Sequence, residues 1–202
     1  MKLAHALLLL LAVSFAGCGG CVRTEDIGTS KEVLSESIEK TGDTWHVAFK
    51  TKIDAPPDKV FEAFAEPERA REFSPEAVLK SELVSQNGNV KVVDIVGKLD
   101  VLPPGFKVQN IRNEFTLHPD TKTITSKSID FKLADLNSEY KFEPADGGKA
   151  TIITFTQTSK DKAPLLVDSL QKGALKETYV RTVQGANRRL GLDQPPATKP
   201  AS

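Results

Sequence analysis

Cysteine is scarce in this chain, since Cys18 and Cys21 are its only two and both lie near its start. Structural zinc sites of the ribbon type need four ligands, mostly cysteines, at characteristic spacings, so sites of that type are excluded. In an oxidising compartment a strained disulfide between the two thiols is one outcome. No histidine lies near Cys21, which is therefore not a candidate nucleophile.

An excess of either charge is also lacking, because 27 basic residues face 27 acidic ones. A near-neutral chain gives no electrostatic argument for nucleic acid as a partner. The sequence also lacks a glycine-rich phosphate loop, a paired metal-ligand cluster, a nucleophile elbow and a long internal repeat. His46 alternates with apolar residues and His118 precedes a turn, so both are predicted to be exposed or structural. We therefore predict no catalytic residue, no metal and no cofactor.

The apolar run at the start of the chain has the length of a secretory signal. Residues 3–15 are almost entirely apolar, follow a lysine, and are too few to span a bilayer comfortably. The run ends in Ala16-Gly17-Cys18, which resembles a bacterial lipobox. The resemblance implies a signal peptide over residues 1–17 and a diacylglyceryl group on Cys18. Ordinary signal-peptidase cleavage after Ala16 is the alternative.

The residue after the lipobox bears on the destination of the protein. Gly19 stands where an aspartate would direct retention in the inner membrane, so the resemblance implies an outer-membrane lipoprotein that faces the periplasm. The membrane is then a partner through the lipid anchor, in which each buried methylene contributes about 0.8 kcal/mol. Cleavage after Ala16 would instead give a soluble secreted or periplasmic protein.

One domain, predicted over residues 45–191, lies between two less regular segments. Residues 18–44 are predicted as the lipidated N-terminus and a polar tether. Within residues 22–44, Thr29 and Glu32 suit the capping box of a short helix, whereas Thr41-Gly42-Asp43 suits a turn from an extra strand. Residues 192–202 contain a proline pair and are predicted to be a disordered tail.

The segment from Trp45 to Phe73 predicts a strand followed by two short helices. Apolar or β-branched residues alternate with polar ones up to Ile53, which is the two-residue period of a half-buried strand. Pro56 and Pro57 then stop the strand and suit the first turn of a helix. Pro67 can open the second short helix.

Six more strands are predicted in the rest of the domain, for a total of seven. Asn87-Gly88 is a strong hairpin signal between the first pair, residues 78–85 and 90–96. Two further hairpins join residues 109–118 to 123–131, and the strand around Tyr140 to residues 150–158. Asp94 interrupts a valine-rich strand and faces either water or the interior.

The last element is predicted as a long helix from Pro164 to Leu190, with Asp161 as its cap and Gly191 as its stop. At about 100° per residue its apolar side chains occupy two sides of the helix. One side carries Leu166, Val167, Leu170 and Ala174, and the opposite side carries Leu175, Tyr179, Val183, Ala186 and Leu190.

Several short motifs, taken in order, resemble the START-like helix-grip superfamily. They are Ile53-Asp54-Ala55-Pro56, Val60-Phe61 and Glu72-Phe73-Ser74-Pro75, and a later stretch with Phe142-Glu143-Pro144 and Gly147-Gly148 resembles its coenzyme-Q-binding and polyketide cyclase branch. The resemblance implies an α+β fold. In it, a curved seven-stranded antiparallel sheet wraps around the long C-terminal helix and encloses an apolar cavity.

The predicted function is that of a membrane-anchored binding or carrier protein for an apolar ligand, a lipid or a prenyl quinone, in the cell envelope. The ligand is expected between the sheet and the last helix, against Phe115, Tyr140, Phe142, Ile153, Phe155, Tyr179 and Val183. Leu102 and Phe106, on a loop stiffened by two prolines, are predicted as a portal. An aromatase/cyclase-type enzyme and a cell-envelope scaffold with a filled core are the alternatives.

Overall fold

The computed structural model describes residues 33–75, 77–98, 108–162 and 168–192. Within them, eight strands form one antiparallel sheet in the order β1-β2-β8-β7-β6-β5-β4-β3. The strands are β1 (Val33–Thr41), β2 (Thr44–Ile53), β3 (Val78–Asn87), β4 (Val90–Lys98), β5 (Val108–His118), β6 (Thr123–Asp130), β7 (Ala134–Ala145) and β8 (Ala150–Asp161). The α+β class with a large antiparallel sheet and a C-terminal helix is therefore confirmed.

The order of the strands in the sheet gives it one continuous face on which a helix can pack. β1 and β2 form a hairpin, and β3 to β8 then run as a meander whose last strand returns to pair with β2 from Thr44↔Lys160 to Ile53↔Thr151. Alternate residues of each strand face the same side. Trp45, Phe49 and Ile53 mark that side on β2, and all three are buried. We call it the inner face.

The strand count differs from the seven expected, because residues 33–41 form an additional edge strand, β1. This strand lies inside the range predicted as a tether. Its alternation is weak, since Ile38 is its one buried residue, and that explains why the pattern missed it. Gly42 makes the turn into β2 with φ of +63°, as the strand alternative required. Thr29 and Glu32, the capping-box alternative, lie outside the described residues.

Helical turns between β2 and β3 cover one end of the inner face. The first predicted short helix is present as α1 (Pro57–Phe64), with proline in its first turn and Asp58 near its N-terminus. The second differs slightly from expectation, since a 3-10 turn (Pro67–Arg69) passes directly into one α-helical turn, α2 (Ala70–Phe73). Lys91 on β4 fixes this 3-10 turn, because its ammonium donates to Glu68 Oε1 at 2.8 Å and to the Ala65 carbonyl at 3.0 Å.

The long helix α3 (Asp168–Arg189) packs on the inner face. Its predicted first residues, 164–167, lie outside the described part, and Gly191 ends it with φ of +72° as expected. Asp161 was wrongly predicted as its cap. The residue is the last of β8, and its carboxylate accepts hydrogen bonds from Trp45 Nε1 at 3.2 Å and Gln171 Nε2 at 2.7 Å.

The C-terminal half of α3 is held closely against α1 and α2. A Cβ placed on Gly185 would lie 2.1 Å from the carbonyl oxygen of Phe73, so only glycine allows this approach. Arg188 donates to the same carbonyl at 2.6 Å, and Arg189 donates to the Ala63 carbonyl at 2.8 Å. These contacts fix the end of the helix over the short helices.

Candidate ligand-binding cavity

A cavity of about 410 Å³ lies between α3 and the part of the inner face that β4 to β8 contribute. Its floor comes from inward residues of β4 to β8 together with Val78 at the start of β3, and α1, the 3-10 turn and α2 close one side. The principal apolar lining residues are Phe64, Phe73, Val78, Ile95, Ile111, Phe115, Ile124, Leu136 and Tyr140. The volume lies in the range of small-molecule sites, and the wall is mostly hydrocarbon, as such sites require.

Aromatic rings form the wall between this cavity and the packed core. The Tyr140 ring centroid lies 5.3 Å from that of Phe64 and 4.5 Å from that of Phe155. Phe64 in turn lies 5.5 Å from Phe73. Tilted aromatic pairs at these separations are favourable beyond the area they bury. The wall is therefore a packed aromatic cluster.

Polar side chains occupy one line of inward positions across the cavity floor. Ser126 of β6 pairs in register with Ser138 of β7, which pairs with Gln157 of β8. The two serine hydroxyls hydrogen-bond each other at 2.8 Å. We call these three residues the polar row. The adjoining line of positions is apolar, with Ile124, Tyr140 and Phe155.

Helix α3 turns a face of short and polar side chains toward the cavity. This face consists of Ala174, Glu177, Thr178, Arg181 and Thr182. Both threonine hydroxyls donate to carbonyls one turn earlier on the helix, and Arg181 Nε donates to Glu177 Oε1 at 2.8 Å. The charges of Glu177 and Arg181 on this face therefore partly neutralise each other.

The residues predicted to line the cavity divide into two groups. Phe115 and Tyr140 line it, whereas the other five lie in the packed core beside it. In that core Tyr179 stacks on Phe49 with centroids 4.1 Å apart, and its hydroxyl lies 2.5 Å from that of Thr51. The remaining four are Phe142, Ile153, Phe155 and Val183, all at most 5% exposed.

Burial affects the acidity of both tyrosines. It raises the pKa of Tyr179 to about 12, although the hydrogen bond with Thr51 opposes the shift. Burial also raises the pKa of Tyr140, with a smaller contribution from Tyr179. Both phenols therefore stay protonated at neutral pH. The Tyr140 phenol can donate or accept a hydrogen bond inside the cavity, but it is not a base there.

Sequence reasoning missed the polar row and Asn113, which also lines the cavity. A signal for them exists in the strand alternation. Ser138 lies two residues before Tyr140, and Gln157 lies two residues after Phe155, so each continues an apolar face with a polar side chain. A polar residue at an inward position needs a hydrogen-bond partner. A cavity can supply one as water or a ligand, whereas an apolar filled core cannot, so such residues indicate a cavity floor.

The other candidate groups that the structure describes lie away from the cavity. Asp94 pairs across strands with Arg112 on the opposite face of the sheet, where the guanidinium donates to both carboxylate oxygens at 2.6 and 2.7 Å and lowers the pKa of Asp94. His46 and His118 are exposed. Leu102, Phe106 and Cys18 lie outside the described residues.

Neither a candidate metal site nor a membrane-spanning helix lies in the described ranges. They contain no group of three or more histidine, cysteine or acidic residues arranged to hold a metal ion. They also contain no helix with the length and apolar character to cross a membrane.

A sheet that carries a long C-terminal helix over an internal cavity defines a helix-grip protein. The profile of the polyketide cyclase/dehydrase and lipid transport family matches residues 44–194, and the chain belongs to that family. No curated protein matches the chain significantly by sequence. The extra strand β1 lies before the matched range.

Solved structures share the fold at low sequence identity. A protein from Thermus thermophilus matches with a TM-score of 0.62 and 18% identity over 74% of this chain and 99% of its own. A START superfamily protein from Mycobacterium smegmatis matches with a TM-score of 0.60 and 10% identity over 72% of this chain and 97% of its own. The Zhui aromatase/cyclase from a Streptomyces species matches with a TM-score of 0.58 and 14% identity over 72% of this chain and 96% of its own. These likenesses establish the START-like fold.

Proposed function

We propose that the protein binds an apolar small molecule in the cavity between α3 and the β4–β8 part of the sheet. The observation that carries this proposal is the cavity itself, about 410 Å³ with mostly apolar walls. Protein interiors are otherwise close-packed. A ligand that displaced water from this mostly apolar wall would bury apolar surface, at about 25 cal/mol per Å², which favours binding over the alternative of a scaffold with a filled core.

The chemistry of the lining favours binding or carriage over cyclisation. The family description includes both cyclase/dehydrase and lipid transport members. Among the described lining residues, the titratable groups are Lys98, Tyr140, Glu177 and Arg181. Tyr140 stays protonated, and Glu177 accepts hydrogen bonds from Arg181. The described lining therefore supplies burial and hydrogen bonding, which suit a lipid or a prenyl quinone.

The predicted portal is part of the proposal. The strands on either side of the loop that carries Leu102 and Phe106 reach the cavity, since Gly97, Lys98 and Gln109 line it. We propose that this loop admits the ligand. Leu102→Ser and Phe106→Ser should slow ligand entry and exit in stopped-flow measurements while leaving the equilibrium affinity within about threefold.

We also propose that Cys18 anchors the protein to the outer membrane, facing the periplasm. The support is the sequence Ala16-Gly17-Cys18 after an apolar run. In fractionated cells, Cys18→Ala should move the protein from the membrane to the soluble fraction, and Cys21→Ala should leave it in the membrane. Equal membrane retention of both variants would contradict the anchor and favour the secreted form.

The direct test of the proposed function uses the full chain with Cys18→Ala, purified and extracted with organic solvent for mass spectrometry. We expect a co-purified lipid or quinone, or a ligand-induced rise in melting temperature within a panel of both. A recovered ligand that is unchanged after incubation supports carriage. A cyclised or dehydrated product would support the enzyme alternative, and no binding at all would support the scaffold.

A further inference from the structure

The polar row is unusual because it crosses the floor of an otherwise apolar cavity. Ser126, Ser138 and Gln157 lie on three neighbouring strands at paired positions, so their side chains leave the sheet side by side. Phe115 pairs with Ser126 at one end and Val47 pairs with Gln157 at the other. A narrow polar line is thus bordered by apolar side chains.

Hydrogen-bonding capacity remains in this row. The Ser126–Ser138 pair shares one hydrogen bond, which leaves one hydroxyl proton and several lone pairs available. The Gln157 side chain is half-buried and makes no hydrogen bond to any residue in the described part of the chain. Polar groups in such surroundings are normally satisfied. A bound molecule or water can supply the partner.

The charge of the row limits the type of partner. All three side chains are neutral. Of the two cationic lining residues, Arg181 on α3 donates to Glu177, and Lys98 lies seven residues along β4 from Lys91, the β4 position in line with the row. A carboxylate or phosphate buried against neutral amide and hydroxyl groups would lose more hydration than the row returns. An uncharged oxygen, by contrast, can accept from the Gln157 amide or a serine hydroxyl.

We infer that the ligand is an apolar molecule with an uncharged carbonyl or hydroxyl oxygen, and that Gln157 with the Ser126–Ser138 pair binds this oxygen. This inference rests on the proposed function and specifies its ligand class. The row then fixes the orientation of the ligand, while Phe115, Ile111 and Tyr140 contact its hydrocarbon frame. A plain hydrocarbon of the same shape would leave the row without a partner.

The test compares fluorene with fluorenone, which share a rigid tricyclic frame and differ by one carbonyl oxygen. Isothermal titration of the full chain with each probe measures the two dissociation constants. Gln157→Leu keeps the approximate size of the side chain and removes both its donor and its acceptor. We expect this variant to bind fluorenone about five- to tenfold more weakly, as the loss of one hydrogen bond predicts, and to bind fluorene within about twofold of the wild type.

Two further variants serve as comparisons. Ser138→Ala should weaken the binding of fluorenone but not that of fluorene. It provides a second test of the row if Gln157→Leu does not fold. Asn113→Leu makes the same change in an amide that lines the cavity outside the row, and it should affect both probes equally.

The outcomes separate this inference from the proposed function. Equal changes for both probes in Gln157→Leu and Ser138→Ala would overturn the role of the row. A selective loss in Asn113→Leu alone would also overturn it and place the oxygen elsewhere in the cavity. If neither probe bound the wild type, and the lipid and quinone panel also failed, the proposed function would fall and the inference with it.

Discussion

The two parts of the space beneath α3 differ in how the sheet and the helix meet. In one part, which we call the filled half, inward side chains of β2 and β8 pack against Tyr179, Val183 and Ala186. In the other, the hollow half, the cavity-lining residues of β4 to β7 and Gln157 of β8 face Ala174, Thr178 and Thr182. The same helix and the same sheet therefore build a packed core and an open site.

Side-chain length accounts for this difference. In the filled half, the rings of Phe49, Phe155 and Tyr179 reach across, with centroids of Phe155 and Tyr179 5.0 Å apart. In the hollow half, short side chains of both elements line the cavity, namely Ser126 and Ser138 of the sheet and Ala174, Thr178 and Thr182 of α3. Polar groups are then acceptable on the floor because a ligand or water can reach them. A binding site can thus be built into a core by shortening side chains on both facing elements.

The largest expected effect comes from truncating an aromatic ring in each half. Phe49→Ala should lower the free energy of unfolding by about 3–5 kcal/mol, because it opens a new space in packed surroundings. Phe115→Ala only enlarges an existing cavity and should cost about 1–2 kcal/mol by the same reasoning. Urea unfolding of both variants checks the comparison. Equal losses would mean that the hollow half is packed as tightly as the filled one.

Glycine substitutions compare the two ends of α3. Gly185→Ala places a methyl group against the Phe73 carbonyl and should cost about 3 kcal/mol, the upper end of overpacking costs. Gly173→Ala meets no atom within 4 Å and should stabilise the helix by about 0.5–1 kcal/mol. Thermal unfolding measures both changes. A tolerated Gly185→Ala would show that the end of the helix is not held closely against α2.

Added bulk should have opposite effects in the two halves. Ile153 is fully buried in the filled half, so Ile153→Phe should cost about 1–3 kcal/mol of stability and leave ligand affinity nearly unchanged. Ile111 lines the cavity, so Ile111→Phe should leave stability within about 0.5 kcal/mol and weaken ligand binding at least tenfold. Urea denaturation and ligand titration of the same two variants measure the change in stability and the change in affinity separately. Loss of binding in Ile153→Phe alone would place the site in the filled half.

The smallest expected effect concerns Tyr179 and alkaline pH. Its folded-state pKa of about 12 exceeds the unfolded value near 10, so its contribution to stability is complete below about pH 10 and is lost as the pH rises toward 12. Tyr179→Phe should cost about 1 kcal/mol at neutral pH through the lost Thr51 hydrogen bond. It should also flatten the decline in the free energy of unfolding above pH 10. If the free energy of unfolding declined as steeply in the variant as in the wild type, the pKa of Tyr179 would not be raised in the fold.

Much of the fold was predictable because the filled half follows simple periodicity. The alternation from Trp45 to Ile53 and the helical spacing of Tyr179, Val183 and Ala186 both mark faces that are buried in the structure. The strand β1 was missed since an edge strand with one buried residue, Ile38, carries little periodic signal. Hairpin pairing with β2, and not the burial of its own side chains, determines its structure.

The site was harder to predict than the fold, for a physical reason. Apolar periodicity identifies inward positions but does not distinguish a position that meets another side chain from one that faces empty space. Ile153 and Ile111 look alike in the sequence, and only the elements opposite them separate core from cavity. The positions of Ser138 and Gln157 within apolar faces were the available signal.

Methyl NMR during a fluorene titration locates the ligand site directly, because it reports on both halves at once. With methyl-labelled isoleucine and valine in the full chain, we expect shifts at Ile95, Ile111 and Ile124, which line the cavity, and none at Ile153 or Val183 in the filled half or at Val60 of α1. Saturable shifts confined to the first group would establish the hollow half as the ligand site. Shifts centred on the second group, or no saturable shift with fluorene or any member of the lipid and quinone panel, would show that the hollow half is not a ligand site.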